Sequence, residues 1–566
     1  MNQRNGKPED GDYPGERRHD PPRTCFVATL LNALIGLFKS NPPDQQATPS
    51  PQDKNGIHES PESPLDRHSP QPRIIASKGP EQQSVQASSL DNAPPSAVSV
   101  KASHPRDFWE TVTQYYEGEP VQEKELVVGF DFGTSCSKIV IQDIALRQSY
   151  AVPFGELASS RNPYLLPTTV FVTGTGEMSL TSGNHRFSDL KVRLIGGGGA
   201  AASSGEAARS RLSAKVMVVG YIALALRHAR RWFWDSKFEV YRGTRIVWQI
   251  NIGLPARSYD NQELSRVFRT IALAGWNLSV VDDAITVQDA KAAVQEAEAT
   301  FDQTGWIEQE GNGRIHPDYA QAVPEVIAAV IGYARSPLRQ NGMYLLADIG
   351  ASTLDISTFI LYQNKSGEDL YSILTSEVQP LGSLRLHHKR IKHVPMCTQS
   401  RCEELKTFND ANSPIPRIQE YLPDLDKCGS IDGVFRDECS RVFSAVVAET
   451  RKKRNPNSPA WEEGLPVFLC GGGSYMPIYA EAAVEAQRRL ARMNVAGLNI
   501  VELPKPVNLE ATRLLPEHYH RLGVAYGLSF SRLDMGEILA PGEIEDLRRQ
   551  TTEVDVSDAY VGKEMV

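Results

Sequence analysis

Two short segments of the sequence, residues 131–137 (DFGTSCS) and 348–355 (DIGASTLD), follow an apolar run with an aspartate, a glycine and hydroxyl residues. A glycine lets backbone amides approach an anion closely, and hydroxyl groups add hydrogen-bond donors. The carboxylate would repel a bare phosphate, so a phosphate ligand needs a bridging cation, for which Mg²⁺ is well suited. One such turn could be an ordinary hairpin, but two turns could each hold one side of a polyphosphate.

A third segment with the residue types of a ligand-binding loop is the triple glycine at residues 471–473. It follows the apolar run 467–470 and precedes Ser474, Tyr475, Met476 and Pro477, which are typical of a helix start. Glycine residues between a strand and a helix allow the bare backbone to meet a nucleoside or a phosphate.

The elements that must position these segments alternate between strands and helices, which predicts an α/β fold. Apolar runs predict strands at residues 126–130, 138–144, 247–253, 343–348, 354–362, 370–378 and 467–470. Helical spacing predicts helices at residues 214–234, 289–301, 323–334 and 518–531. A further helix is expected between a cap formed by Asp260 with Glu263 and a stop at Gly275, and residues 196–210 are expected to form a mobile loop.

Together, the three segments resemble the nucleotide-binding loops of the actin, heat-shock-ATPase and hexokinase superfamily. The nearest likeness is to the nucleotide domain of the seventy-kilodalton heat-shock proteins and their divergent relatives. The two aspartate turns resemble its phosphate-1 and phosphate-2 loops, and the glycine run resembles its adenosine loop. Other segments that match this domain are 250–256 (INIGLPA), 324–329 (PEVIAA), 381–383 (LGS) and 525–527 (AYG). The resemblance covers about residues 126–539.

The resemblance implies a two-lobed, actin-like ATPase fold made of duplicated ribonuclease-H-like lobes, with ATP in the cleft between them. The implied boundaries are residues 106–338 for lobe I, 339–515 for lobe II, and 516–540 for a helix that returns to lobe I. The implied ligands are ATP or ADP and Mg²⁺, with Asp131 and Asp348 holding the metal through water.

Roles for individual residues are also implied by the resemblance. Glu325 would position the water that attacks the γ-phosphate, and Lys191 would lie beside that phosphate. The residues implied to contact the nucleotide or to support its loops are Gly133, Thr134, Ser135, Gly350, Ser352, Thr353, Asp355, Gly471, Gly472 and Gly473.

Several departures from the heat-shock pattern make ATP hydrolysis a weaker expectation than ATP binding. The expected lysine is displaced by one position, so either Lys191 or Arg193 could reach the phosphate. Ser352 replaces a glycine of the second loop, and Tyr475 stands where an adenine-stacking arginine is usual. The order Pro-Glu at Glu325 reverses the usual Glu-Pro.

Composition and charge limit the possible functions. The formal net charge of −9 argues against a general nucleic-acid binder, and seven scattered cysteines suit a reducing compartment, so a cytoplasmic location is expected. Residues 1–105 are rich in Pro, Ser and Gln and are expected to be disordered, while 541–566 form an acidic tail.

The apolar run at residues 25–38 interrupts this first tail. It is short for a membrane span, which takes about 20 residues, and no small-residue cleavage site follows it. An amphipathic or partner-docking helix is favoured, and a membrane anchor or a signal peptide stays open.

One cluster of possible metal ligands lies apart from the loops. It comprises His387, His388, His393, Cys397 and Cys402. Their spacing is not that of a standard zinc finger, so structural roles are favoured over a zinc site.

Three functions fit these expectations. The favoured one is a nucleotide-switched, chaperone-like or regulatory ATPase that acts on an unidentified protein client or regulator. The sequence ends soon after Leu539, so a peptide-binding domain of the heat-shock type is not expected. The alternatives are an actin-like, filament-forming ATPase and a small-molecule kinase.

Overall fold

The computed structural model describes residues 122–158, 162–196, 204–281, 283–302, 314–393, 425–512 and 514–544. All of them belong to one compact unit, residues 97–566. The predictions for residues 1–105, including the apolar run 25–38, and for 545–566 lie outside the described residues. None of the helices in the described ranges combines the length and hydropathy of a membrane span.

Groups of strands are separated by helices in the described residues, in keeping with the predicted α/β class. The strands are β1 (Gln122–Asp131), β2 (Cys136–Asp143), β3 (Gln148–Ala151), β4 (Leu166–Pro167), β5 (Val170–Val172), β6 (Met178–Ser179), β7 (His185–Phe187), β8 (Thr244–Leu254), β9 (Ala320–Pro324), β10 (Gly342–Ile349), β11 (Leu354–Gln363), β12 (Asp369–Gln379), β13 (Leu465–Cys470), β14 (Leu498–Val501), β15 (Leu509–Glu510) and β16 (Glu537–Leu539). The α-helices are α1 (Leu190–Gly196), α2 (Ser204–Tyr241), α3 (Gln262–Ser279), α4 (Val287–Asp302), α5 (Glu325–Ala334), α6 (Ser383–Lys392), α7 (Leu425–Glu449), α8 (Ala460–Glu463), α9 (Pro477–Leu490), α10 (Gly523–Leu528) and α11 (Arg532–Met535).

The two large sheets share one strand order and one set of strand directions. The first sheet has the order β15-β3-β2-β1-β8-β9, and the second has the order β16-β12-β11-β10-β13-β14. In the first sheet β1, β2 and β3 are antiparallel neighbours, and β8, β9 and β15 join in parallel. The second sheet repeats this pattern at every position. The fold is therefore a mixed α/β architecture in which one topology occurs twice.

Three apolar cores hold these layers together. Helices α2 and α3 contribute to the core of the first sheet, and α4 packs on these two helices. Helices α7 and α9 pack on the second sheet. The third core contains α5, α10 and side chains from both sheets. Every residue of α5 and of α10 is buried, which explains why their sequences are apolar on all sides.

Two glycines set the distance at which α10 approaches its neighbours. A Cβ atom on Gly527 would lie 1.8 Å from the carbonyl oxygen of Ala328 in α5, and one on Gly129 of β1 would lie 2.2 Å from the carbonyl oxygen of Ala525. Contact at this range needs residues without side chains, so β1, α5 and α10 are fixed against one another by backbone contact.

The predicted strands are confirmed, with ends that shift by a few residues, but three predictions about helices α2 and α3 are wrong. Helix α2 begins at Ser204, so residues 204–210 are helical rather than a loop. The cap of α3 is Asn261, whose side chain accepts a hydrogen bond from the amide of Leu264. Helix α3 continues past Gly275 to Ser279, because the glycine makes room for Ile222 of α2.

Two predicted helices are shorter than expected. The residues before Glu325 belong to β9, so α5 begins at that glutamate. The helix expected at residues 518–531 is divided into a 3₁₀ helix (Pro516–Arg521) and α10. After α10, the side-chain amide of Asn251 donates to the carbonyl oxygens of Leu528 and Phe530, at 2.8 Å each. These bonds satisfy carbonyls that a helix end leaves open.

Substitution of Gly527 by alanine is predicted to destabilise the protein by about 1–3 kcal/mol, because the new methyl group meets backbone that cannot rotate away. Gly523 is a matched control on the same helix, since a Cβ atom there meets nothing within 4 Å. Gly523→Ala should change the free energy of unfolding by less than about 1 kcal/mol. Urea unfolding of both variants measures the difference, and equal midpoints would contradict the proposed backbone contact.

Candidate functional site

A cleft of about 930 Å³ lies where the β1–β2 and β10–β11 hairpins turn. Its volume is within the range of small-molecule sites, about 300–1,000 Å³. Twelve of the fourteen residues predicted for the site line it: Asp131, Gly133, Thr134, Ser135, Lys191, Glu325, Asp348, Gly350, Thr353, Asp355, Gly471 and Gly472. The other two, Ser352 and Gly473, are not among the lining residues.

The two hairpins present their residues in the same register. In the first, Asp131 pairs across the strands with Lys138, seven residues later. In the second, Asp348 pairs in the same way with Asp355. The two turns are therefore equivalent in position as well as in sequence. They differ at the second residue of the cross-strand pair, which is Lys138 in the first hairpin and Asp355 in the second.

The carbonyl oxygens of the first turn are bound by Thr168. Its hydroxyl donates to the carbonyl of Gly133 at 2.8 Å, and its amide donates to the carbonyl of Ser135 at 2.9 Å. Because these carbonyl oxygens already accept hydrogen bonds from the protein, their repulsion of an anion is reduced. Thr134 and Ser135 line the cleft and carry hydroxyl groups.

The second turn is held in a similar way by residues at and just after the segment 381–383. The amides of Gly382, Ser383 and Leu384 donate to the carbonyls of Ser352, Gly350 and Ala351, at 3.2, 3.0 and 2.9 Å. A Cβ atom on Gly382 would lie 2.5 Å from the carbonyl oxygen of Ala351. Ser352 thus contributes to the anchoring of the loop through its carbonyl group.

Lys191 and Glu325 form a buried ion pair in the cleft, with 2.5 Å between the lysine Nζ and the carboxylate Oε1. Glu325 is the first residue of α5, and Gly253 leaves space for it, since a Cβ atom there would lie 2.8 Å from Oε1. Burial by itself lowers the pKa of Lys191, but the carboxylates of Glu325, Asp131 and Asp355 raise it above its ordinary value. Lys191 is therefore held as an ammonium ion.

The structure distinguishes between the two candidates for the basic residue. Lys191 lines the cleft, whereas the Nε atom of Arg193 donates to the carbonyl of Ser188 on an exposed part of α1. Lys191 is consequently the residue that can meet a ligand in the cleft.

Four carboxylates, from Asp131, Asp348, Asp355 and Glu325, face the ammonium groups of Lys138 and Lys191. Burial, followed by the charges of Glu325 and Asp131, raises the pKa of Asp348 to about 7. Burial and the charge of Asp348 raise the pKa of Asp355 to about 8. Oδ1 of Asp355 is buried without a hydrogen-bond partner. When ionised, the cluster carries an excess of negative charge that a divalent cation would neutralise.

The glycine run lies directly against the second hairpin. Gly471 has a φ of +82°, and a Cβ atom there would lie 2.2 Å from Oδ1 of Asp348. The amide of Gly473 donates to the carbonyl of Ile349 at 2.9 Å. A Cβ atom on Gly473 would also lie 2.4 Å from the Ile349 side chain. Gly473 therefore packs the run onto β10, while Gly471 and Gly472 line the cleft.

Lys138 is the main cleft residue that the sequence analysis missed. Its Nζ donates to Oδ2 of Asp131 at 2.8 Å, so the first aspartate already has a cationic partner. The signal was present in the spacing, because Lys138 follows Asp131 at the same interval at which Asp355 follows Asp348. The cleft also contains residues outside the three motifs: Arg257, Ser258, Arg390, Asp432, Arg436, Glu481, His518, His520 and Arg521.

The donor set fits a magnesium ion held largely through water. Within the described ranges, no group of three or more His, Cys, Asp or Glu side chains could hold a metal directly. Mg²⁺ in nucleotide sites usually takes one or two carboxylates, several waters and the phosphates, and Asp131 and Asp348 can supply the carboxylates. Cys397 and Cys402 lie outside the described residues. The structure therefore does not test the zinc site that was weighed from the sequence.

No protein-family model matches the chain, and a search of curated proteins finds no match. A function for this cleft therefore rests on the residues that line it.

Because the pKa of Asp348 is raised, we predict that ionisation of this carboxylate destabilises the metal-free protein as the pH rises. The pKa is 3.8 when unperturbed and about 7 in the fold, so the folded state binds more protons between these values, and the contribution of this group to stability falls as pH rises. Asp348→Asn should be more stable than the wild type at pH 8 in a chelator, by at most a few kcal/mol, and should lose this advantage below pH 4.

Thermal unfolding from pH 4 to 8 measures this difference. Asp235 is exposed on α2, and Asp235→Asn is the matched control, for which no such trend is expected. If the stability of Asp348→Asn depended on pH in the same way as that of the wild type, ionisation of Asp348 would not destabilise the fold.

Proposed function

We propose that this protein binds Mg²⁺-ATP in the cleft and hydrolyses it as a member of the actin, heat-shock-ATPase and hexokinase superfamily. One observation carries the proposal. Two sheets that share one six-strand order each end a strand in an aspartate turn, and Asp131 and Asp348 line the same cleft together with the Lys191–Glu325 pair.

The architecture supports the finer assignment of an actin-like fold with two duplicated lobes. An actin-like lobe contains a mixed sheet of the kind seen twice here, and the repeated order makes each hairpin the counterpart of the other. The segments that resemble the two connecting helices, at residues 324–329 and 525–527, lie in α5 and α10, which cross in the core shared by both sheets.

The acidic cluster supports the use of a metal. Asp131 and Asp348 would hold Mg²⁺, which would neutralise phosphate charge. The hydroxyl groups of Thr134, Ser135 and Thr353 would donate to phosphate oxygens from both sides. Lys138 and Lys191 would add positive charge, since both ammonium groups lie among these side chains.

Hydrolysis in such a site depends mainly on positioning and charge. Lys191 holds the carboxylate of Glu325 at the start of α5, in a buried environment that fixes its rotamer. Glu325 would accept a hydrogen bond from the attacking water and orient it in line with the γ-phosphate. Lys191 would stabilise the negative charge that develops on the phosphoryl oxygens.

The biological role that we propose is that of a nucleotide-switched, chaperone-like or regulatory protein. Helices α5 and α10 contribute to one core with side chains from both sheets. A ligand that bridges the two aspartate turns would change the balance of forces across that core. Binding would thus change the shape of the protein, and a protein partner could recognise that change.

The proposal predicts Mg²⁺-dependent binding of ATP to the full-length chain. Asp348→Asn should weaken binding at least tenfold at pH 8, because the neutral amide would lose a charge-assisted hydrogen bond to the water shell of the metal, worth about 1.5–3 kcal/mol. Isothermal titration calorimetry with and without EDTA measures the effect, and Asp235→Asn is again the control. Absence of ATP binding by the wild type would refute the proposed function.

Glu325→Gln should keep ATP affinity and lose about 10²–10⁴-fold in the rate of hydrolysis, because a positioned catalytic group is removed. The amide oxygen can still accept from Lys191, so folding should be preserved. Glu263 provides a matched control, since it is also an acid in the first turn of a helix. Single-turnover assays of Glu325→Gln and Glu263→Gln compare the two, and equal rates would leave Glu325 as a first-turn acid that is favourable to the helix dipole.

A further inference from the structure

Three buried hydroxyl groups lie beneath the first aspartate turn, and we call them the hydroxyl cluster. They belong to Tyr221 of α2, Ser137 of β2 and Thr168, which follows β4. Resting on the proposed function, we infer that Tyr221 is a positioning residue for phosphate binding, which acts through this cluster on the backbone of Gly133. Its hydroxyl group should strengthen the binding of a phosphate without touching it.

The direction of the hydrogen bonds in the hydroxyl cluster follows from the number of protons. The Thr168 hydroxyl has one proton, which it donates to the carbonyl oxygen of Gly133 at 2.8 Å. In its contact with the hydroxyl of Ser137, at 3.2 Å between the two oxygens, Thr168 must therefore accept. Ser137 uses its only hydroxyl proton in this contact, so its oxygen can take part in a further hydrogen bond only as an acceptor. A phenol is a suitable donor to it.

Tyr221 supplies such a donor from a separate element. Its hydroxyl oxygen is buried and has no hydrogen-bond partner in the part of the chain that the structure describes. Burial raises the pKa of Tyr221, and the hydroxyl groups of Ser137 and Thr168 offset part of this rise because they lie near the phenol. The phenol is thus close to Ser137 but outside the geometry of a hydrogen bond. A closer approach would complete a series of bonds from Tyr221 to Gly133.

The packing of Tyr221 keeps the phenol at this position. The centroid of its ring lies 6.2 Å from that of Phe132, the second residue of the turn, and both rings are fully buried. A Cβ atom on the preceding Gly220 would lie 2.2 Å from Cε of Met178, so α2 approaches β6 closely at this point. The Tyr221 hydroxyl therefore has little freedom to reach another acceptor.

The hydroxyl cluster would reach the ligand through a single peptide group. The carbonyl of Gly133 and the amide of Thr134 belong to the same planar peptide, and both residues line the cleft. A hydrogen bond to the carbonyl polarises that peptide, so its amide becomes a better donor to a phosphate oxygen. When the amide donates in turn, the same cooperativity strengthens each bond behind it. A bound phosphate should therefore draw the phenol of Tyr221 into a hydrogen bond with Ser137.

The Tyr221 hydroxyl should then have opposite effects in the free and the bound protein. In the free protein it is a buried polar group without a partner, which costs free energy. In the complex it donates to a series of hydrogen bonds that ends at the ligand. A hydroxyl with a purely structural role would instead stabilise the free and the bound protein alike. The two roles can be separated by removing the hydroxyl and keeping the ring.

Titration of the full-length protein with Mg²⁺-ATP and with Mg²⁺-tripolyphosphate tests this inference. Tyr221→Phe should weaken the binding of both ligands by about 2- to 10-fold, the size of one hydrogen bond. It should not lower the urea midpoint of the ligand-free protein. Single-turnover hydrolysis at saturating Mg²⁺-ATP should stay within about twofold of the wild-type rate, because the lost interaction supports binding and not the attack on the phosphate.

Tyr371 of β12 provides the matched control. Its hydroxyl is also buried without a hydrogen-bond partner in the described ranges, and the residue does not line the cleft. Tyr371→Phe therefore removes the same group from a site that is not linked to the first turn. The affinity for both ligands should be unchanged.

A double-mutant cycle with Ser137→Ala tests the path from the phenol to the turn. Once Ser137 is alanine, Tyr221→Phe should change the affinity by less than about twofold, and additive effects of the two substitutions would overturn the inference. Equal affinity of the wild type and Tyr221→Phe would overturn it and leave the proposed function standing. Weaker binding together with a lower urea midpoint would also overturn it, because the hydroxyl would then stabilise both states. If the wild type bound neither ligand, the proposed function would fail, and this inference with it.

Discussion

The close contact of α10 with α5 and β1 is the constraint on which the arrangement of the cleft depends. Gly527 meets the backbone of Ala328, and Gly129 meets the backbone of Ala525, at distances that any side chain would prevent. Glu325 begins α5, and Asp131 ends β1. These two backbone contacts therefore fix the helix that carries the acid relative to the strand that carries the first aspartate, and a shift of α10 would move both.

The cleft that these elements position contains an unfavourable arrangement of charges. Four carboxylates lie near each other, and two of them have pKa values raised by burial and mutual repulsion. Unfavourable electrostatics of this kind are common at functional sites, where a ligand supplies the missing counter-charge. The ion pairs made by Lys138 and Lys191 reduce the repulsion only in part, and the Mg²⁺ of the proposed function would supply the remaining counter-charge.

The sequence predicted the strands and the loops between them because these signals are local. An apolar run that ends in Asp-X-Gly, as at Asp131 and Asp348, contains both the strand and the turn. The α/β class and the shared location of the residues in these two turns agree with that pattern, whereas the positions of Lys191 and Glu325 were implied only by the resemblance. The ends of α3 and α5 could not be predicted as well, because Gly275 serves a contact with Ile222 that is distant in sequence. The role of Lys138 could not be predicted either, because it depends on which residue Lys138 faces across the two strands.

The difference between the two hairpins shows how a duplicated topology can acquire unequal roles. Cross-strand pairing places a lysine opposite the first aspartate and a second acid opposite the other. The first pair is close to neutral, with 2.8 Å between its charges, whereas the second pair repels and has one carboxylate oxygen without a hydrogen-bond partner. A cation gains more from the second pair than from the first, because its charge is not yet balanced there. In the proposed complex, the metal would thus be drawn toward Asp348, and the first hairpin would contact the phosphates through Lys138 and its hydroxyl groups.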